Sequence, residues 1–133
     1  MEKAKILVVD DEEDILHATR HFLVKRGYEV FIAATKDEAM AMVKQSHPQI
    51  ILLDIRLKEA SGLDILKEVK AIDNNIKVIM VTALDDEENM KQAKAWGAED
   101  YIAKPFTAAY LNEVLMQKLK TLAFREKKEQ AGK

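Results

Sequence analysis

The chain has 133 residues, 48% of them hydrophobic, no cysteine and a formal net charge of −2. That suits one domain with its own core and excludes disulfides, thiolate chemistry and cysteine-based zinc sites. The near-neutral charge gives no general attraction to nucleic acid, no apolar run approaches the roughly 20 residues of a membrane span, and Met1 to Lys5 leads into too short an apolar run for a signal peptide.

A soluble, cytoplasmic protein is therefore expected. The first apolar run, Ile6-Leu7-Val8-Val9, ends on Asp10-Asp11. A run this short reads as a buried strand, here with acids at its tip. From Glu12 to about Arg26 the spacing predicts a helix with Ile15, Ala18, Thr19, Phe22 and Leu23 on one face. Glu12, Glu13 and Asp14 suit its first turn, Lys25 and Arg26 its last, and Gly27 ends it. Tyr28 to Ala33 is a weaker strand. Thr35 and Glu38 form a capping box for a helix to about Ser46, with Ala39, Met42 and Val43 as its apolar face.

After Pro48 comes Ile50-Ile51-Leu52-Leu53-Asp54, four aliphatic residues ending on a carboxylate. Lys58 to Gly62 is a loop, and Ile65, Leu66, Val69 and Ile72 mark the next helix. Asp73-Asn74-Asn75 is a turn. Val78 to Val81 is another aliphatic run, ending on Thr82-Ala83. The acidic stretch Asp85 to Glu88 opens a short helix through Ala95, stopped by Gly97. Tyr101-Ile102-Ala103 is a short strand ending on Lys104-Pro105. Thr107 caps a last helix with the stripe Leu111, Val114, Leu115, Leu119 and Leu122.

Strands alternating with helices imply a parallel sheet with right-handed crossovers, and strands this apolar need helices on both faces. The expected fold is a doubly wound, three-layer α/β domain. In such a sheet the strand ends share one edge, where ligands bind. Asp10, Asp11, Asp54, Thr82 and Lys104 should converge there. Clustered carboxylates repel, and a divalent cation relieves that. Oxygen ligands point to Mg²⁺, with Mn²⁺ as the alternative. Lys104 adds positive charge and Thr82 a hydroxyl, a set suited to a phosphoryl group on a carboxylate nucleophile.

The Asp10-Asp11 pair, Asp54 within Leu52-Leu53-Asp54-Ile55-Arg56, Gly62, Thr82-Ala83 and Lys104-Pro105 together resemble a response-regulator receiver domain of two-component signalling, over about residues 4 to 122. The resemblance implies a flavodoxin-like sheet in order 2-1-3-4-5 flanked by five helices. It implies Asp54 as phosphoacceptor, with Asp10, Asp11, Asp54 and the Arg56 backbone carbonyl at the Mg²⁺ site. Thr82 and Lys104 would contact the phosphoryl oxygens, Lys104-Pro105 would be cis, and Tyr101 would be the switch aromatic that turns inward as Thr82 moves. Output would pass through the surface of the fourth helix, fifth strand and fifth helix, with Trp96 and Tyr110 on or near it. Arg56 and Leu84, two residues past Asp54 and Thr82, would tune phosphate lifetime, a bulky Leu84 hindering the attacking water.

The implied partners are a sensor histidine kinase or phosphotransfer protein upstream and a protein partner or output domain downstream, with a phosphorylation-dependent homodimer as a further option. No membrane contact is expected, and no helix-turn-helix follows to bind DNA. One departure is Lys58, where the family often has proline; a looser loop is expected there. Residues 123–133 read as a charged extension of the last helix or a linker beyond a receiver unit of 1–122.

Three other readings compete. A haloacid-dehalogenase-like phosphatase needs an acid two residues after its nucleophile, and here that residue is Arg56. A flavodoxin-like carrier needs a Gly/Ser/Thr-rich phosphate loop after the first strand; Asp10 to Asp14 would repel that phosphate. A pseudo-receiver, acting only as an interaction module, conflicts with the intact residue set. His17 and His21 have metal-site spacing but lie opposite the apolar stripe and read as solvated. Met40, Met42, Met80 and Met90 read as core.

Overall fold

The three unbroken aliphatic runs become the three inner strands of one sheet, because only a strand covered on both faces can be apolar at every position. These are β1 (Lys5–Val9), β3 (Ile50–Asp54) and β4 (Lys77–Ala83). The two weaker candidates, β2 (Glu29–Ala33) and β5 (Asp100–Lys104), form the edges. All pairs are parallel, in the order β2-β1-β3-β4-β5. The helices between and after them are α1 (Glu13–Lys25), α2 (Lys36–Ser46), α3 (Gly62–Ile72), α4 (Glu87–Ala95) and α5 (Ala108–Ala131). The computed structural model describes residues 3–83 and 86–131, and beyond Leu119 the backbone alone. Leu84 and the side chain of Leu122 therefore lie outside the described residues.

Alternation along the inner strands divides the core in two. Leu7, Val9, Ile51, Leu53, Val78 and Met80 face α2, α3 and α4. Ile6, Val8, Ile50, Leu52, Ile79 and Val81 face α1 and α5. Among the methionines, Met80 is fully buried, while Met40, Met42 and Met90 pack against the first cluster from its margin.

Two helix faces differ from expectation. In α1 the buried residues are Leu16 and Leu23, and Ala18 is exposed. Ile15, the first residue of the expected stripe, is only half-buried; a stripe centred on Leu16 brings in Thr19 and Leu23 at helical spacing. In α3, Val69 is buried, while Ile72, the last residue of the helix, is exposed. The capping box at α2 forms as read: Thr35 Oγ1 accepts from the Glu38 amide at 3.2 Å, and Glu38 Oε1 accepts from the Ala34 amide at 3.4 Å. α5 continues through residue 122 without a break. No helix among the described residues is long and apolar enough to cross a membrane.

Candidate functional site

The carboxyl edge of the sheet gathers the residues at the strand tips. Asp10 follows β1, Asp54 ends β3 and Lys104 ends β5. Thr82 sits inside β4, which continues to Ala83. The centre is a charge cluster of two buried carboxylates and a half-buried lysine. Lys104 Nζ lies 2.7 Å from Asp54 Oδ2 and 3.3 Å from Asp10 Oδ2. The other oxygen of each acid takes a backbone amide two residues on: Asp10 Oδ1 from Glu12 and Asp54 Oδ1 from Arg56, both at 3.0 Å. Thr82, 2% exposed, donates its hydroxyl to the Ala83 carbonyl at 3.2 Å. The Lys104-Pro105 peptide is cis.

Burial pushes the Asp54 carboxyl above its ordinary range; the hydrogen bond and charge of Lys104 and the Arg56 amide oppose this, and the Asp10 charge adds to it. Burial would lower Lys104, but its hydrogen bond and charge pairing with Asp54, then Asp10, outweigh that and hold the ammonium above its usual value.

At the tip of β1 two further acids adjoin Asp10. Among the described residues, Asp10, Asp11 and Glu12 form a group of three carboxylates whose oxygens all lie within 4.8 Å of one another. Glu12, read as part of the first helical turn, belongs to this group; it stands at the N-cap of α1 without capping it. Asp54 is not in that group; Lys104 bridges it to Asp10. An all-oxygen donor set of this kind fits a hard divalent cation such as Mg²⁺ or Mn²⁺.

The loop after Asp54 is held from several sides. Gly62 opens α3 against the Asp54 carbonyl, where a Cβ would overlap it, and the Gly62 amide donates to the Ile55 carbonyl at 2.7 Å. The Lys58 amide donates to Asp11 Oδ2 at 2.8 Å. So the loop expected to be loosened by Lys58 is tied at that residue, through a donor that proline lacks.

Arg56 turns its guanidinium to Asp86, Nε to Oδ2 at 3.2 Å. The sequence placed Asp86 only within an acidic helix start; Asn89, three residues on and bonded to it at 2.8 Å, was the local signal for a fixed role. Tyr101 and Tyr110 are exposed. Trp96, at the C-cap of α4, instead packs toward α3, with Lys67 Nζ 3.8 Å from its ring centre. His17 and His21 are exposed.

A doubly wound parallel sheet with acids and a lysine meeting at its carboxyl edge defines a flavodoxin-like α/β domain with an acidic pocket. The model of the response regulator receiver domain matches residues 6–116. The chain is 38% identical over 106 residues to the sporulation initiation phosphotransferase F of Bacillus subtilis, covering 80% of this chain and 86% of that one. It is 35% identical over 112 residues to the chemotaxis protein CheY of Thermotoga maritima, covering 84% and 93%.

A CheY-like receiver domain structure from Methanospirillum hungatei superposes with TM-score 0.90 at 34% identity, over 93% of this chain and 99% of that one. NtrX of Brucella abortus superposes with TM-score 0.91 at 33% identity, over 97% of this chain but 29% of its own. The chain likewise spans 45% of the PhoP transcriptional regulatory protein of Bacillus subtilis. The protein belongs to the response regulator receiver domain family of two-component signalling systems. Receiver domains generally bind Mg²⁺ at an acidic pocket, and their family works with histidine kinases and output domains.

Proposed function

We propose that this receiver is a phosphoacceptor switch with Asp54 as the acceptor. The observation that carries this is Lys104 Nζ bridging the buried carboxylates of Asp54 and Asp10 at 2.7 and 3.3 Å. It places a fixed cation where phosphoryl charge would develop. A carboxylate oxygen of Asp54 attacks phosphorus of a phosphohistidine on a sensor kinase or phosphotransfer protein. The O–P bond forms as the N–P bond breaks, and the leaving imidazole takes a proton from solvent.

Asp10, Asp11 and Asp54, with the Arg56 carbonyl, would hold Mg²⁺ or Mn²⁺, and the bound ion supplies charge that offsets the clustered acids and the phosphoryl oxygens. Lys104 pairs with one phosphoryl oxygen. The Thr82 hydroxyl turns from the Ala83 carbonyl to another, and Tyr101 moves inward behind it. That shifts the α4, β5 and α5 surface between two states read by a protein partner, an output domain or a second copy of the chain. Arg56 and Leu84 set how long the phosphate lasts. The chain turns over no separate substrate; it catalyses only its own phosphorylation and dephosphorylation, in the cytoplasm. The receiver unit is residues 1–122, and 123–133 serve as a charged extension of its last helix or as a linker.

Intact mass after incubation with Mg²⁺ and acetyl phosphate tests this. Wild type should gain one phosphoryl group; Asp54→Ala, or wild type with EDTA added first, should gain none. No gain in wild type supports the pseudo-receiver reading instead.

A further inference from the structure

Among the described residues the buried acids are Asp10, Asp54 and Asp86. The proposed chemistry uses the first two and leaves Asp86 without a part. Asp86 stands at the N-cap of α4, where an aspartate ordinarily accepts a helix amide, yet its side chain caps nothing there. Its oxygens are engaged elsewhere: Oδ2 with Arg56 Nε at 3.2 Å and Oδ1 with Asn89 Nδ2 at 2.8 Å. Arg56 in turn donates its amide to Asp54 Oδ1 at 3.0 Å. One residue therefore touches the acceptor through its backbone and the start of α4 through its side chain.

We propose that Asp86 is a positioning residue: it holds the Arg56 guanidinium at the start of α4, and a phosphoryl group on Asp54 competes with it for that guanidinium. This rests on Asp54 being the acceptor. Phosphorylation brings about −1.5 to −2 units of charge, and a guanidinium engages phosphate oxygens as a fork. The Arg56 side chain is 71% exposed, so it turns without disturbing the core. Asp86, once released, is a buried carboxylate that has lost its cation, and the Glu88 and Asn89 amides at the helix start are its nearest alternative partners by position. The first turn of α4 thus has two arrangements, one tied to Arg56 and one self-capped, and the phosphoryl group selects the second.

Trp96 at the other end of α4 is the chain's single tryptophan, so its fluorescence reports a shift of that helix against Lys67. The test uses wild type, Asp86→Asn, Arg56→Ala and the double variant, each titrated with acetyl phosphate in Mg²⁺. Intact mass gives the phosphorylated fraction, and Trp96 emission follows α4.

Asp86→Asn should lower the acetyl phosphate needed for half-phosphorylation by about two- to five-fold, the span of a charge pair with one partner exposed to solvent. It should also move the unphosphorylated emission toward the phosphorylated value. In the Arg56→Ala background the same replacement should change neither. Equal effects in both backgrounds, or a changed melting temperature with no change in half-point or emission, overturn the inference. No phosphoryl gain in wild type overturns instead the assignment of Asp54, and this inference with it.

Discussion

The backbone amide of Lys58 donates to Oδ2 of Asp11 at 2.8 Å, joining the loop after β3 to the tip of β1. The side chain of Lys58 plays no part in that bond. Lys58→Ala should therefore leave stability within about 0.5 kcal/mol of wild type. Lys58→Pro removes the donor and should cost about 1.5 kcal/mol, the low end for a bond to a charged acceptor because the loop is exposed. Thermal melts without divalent cation separate the two; equal losses would show that the amide does not hold the loop.

Gly62 brings the start of α3 against the end of β3. A Cβ there would overlap the Asp54 carbonyl and come within 2.8 Å of Ile55 Cα. Both obstacles are backbone, so nothing flexible can yield. Gly62→Ala should cost about 3 kcal/mol, at the upper end for overpacking, measured by urea denaturation. A loss below about 0.5 kcal/mol would mean the helix start has room to move.

The charge balance around Asp54 makes a pH prediction. Burial lifts its carboxyl above the ordinary 3.8, against the pull of Lys104 and the Arg56 amide and with the push of Asp10. A folded-state value above the unfolded one contributes stability fully present below the unfolded value and lost as pH rises through the folded one. Asp54→Asn removes that loss. In urea titrations without divalent cation, the variant's stability relative to wild type should increase as pH rises from about 3.5 toward neutrality. A difference that stays constant over that range would show that the carboxyl is not raised.

The strand tips were legible because their signal is local. An unbroken aliphatic run ending on Asp10, Asp54 or Thr82 marks both a buried strand and its exit, and the parallel topology then brings the exits together. The phase of α1 was not legible to one residue, since Ile15 and Leu16 serve equally well as the start of an apolar stripe until the sheet selects Leu16. Nor were the pairings of Arg56 with Asp86 and Lys58 with Asp11, which join residues 30 and 47 positions apart. Nothing in the neighbourhood of either partner names the other, and one of the donors is a backbone amide.

Lys70 and Glu99 are a third pairing of this kind, and the most buried. Lys70 Nζ lies 2.5 Å from Glu99 Oε1 and donates to the Ile76 carbonyl at 2.7 Å, while Glu99 Oε2 accepts from the Val78 amide at 2.6 Å. The side chains are 9% and 20% exposed, so either charge alone would be stranded beside the entry to β4. Lys70→Met should cost about 2–3 kcal/mol, somewhat below the range for breaking a fully buried pair because Glu99 keeps some contact with water. Glu99→Gln should cost less, since its amide retains an oxygen for Val78. The double variant should cost less than the sum by about 1–3 kcal/mol, the coupling of residues in one network. Urea denaturation of the four proteins measures this, and strictly additive losses would show that each residue acts through its backbone partners rather than through the other.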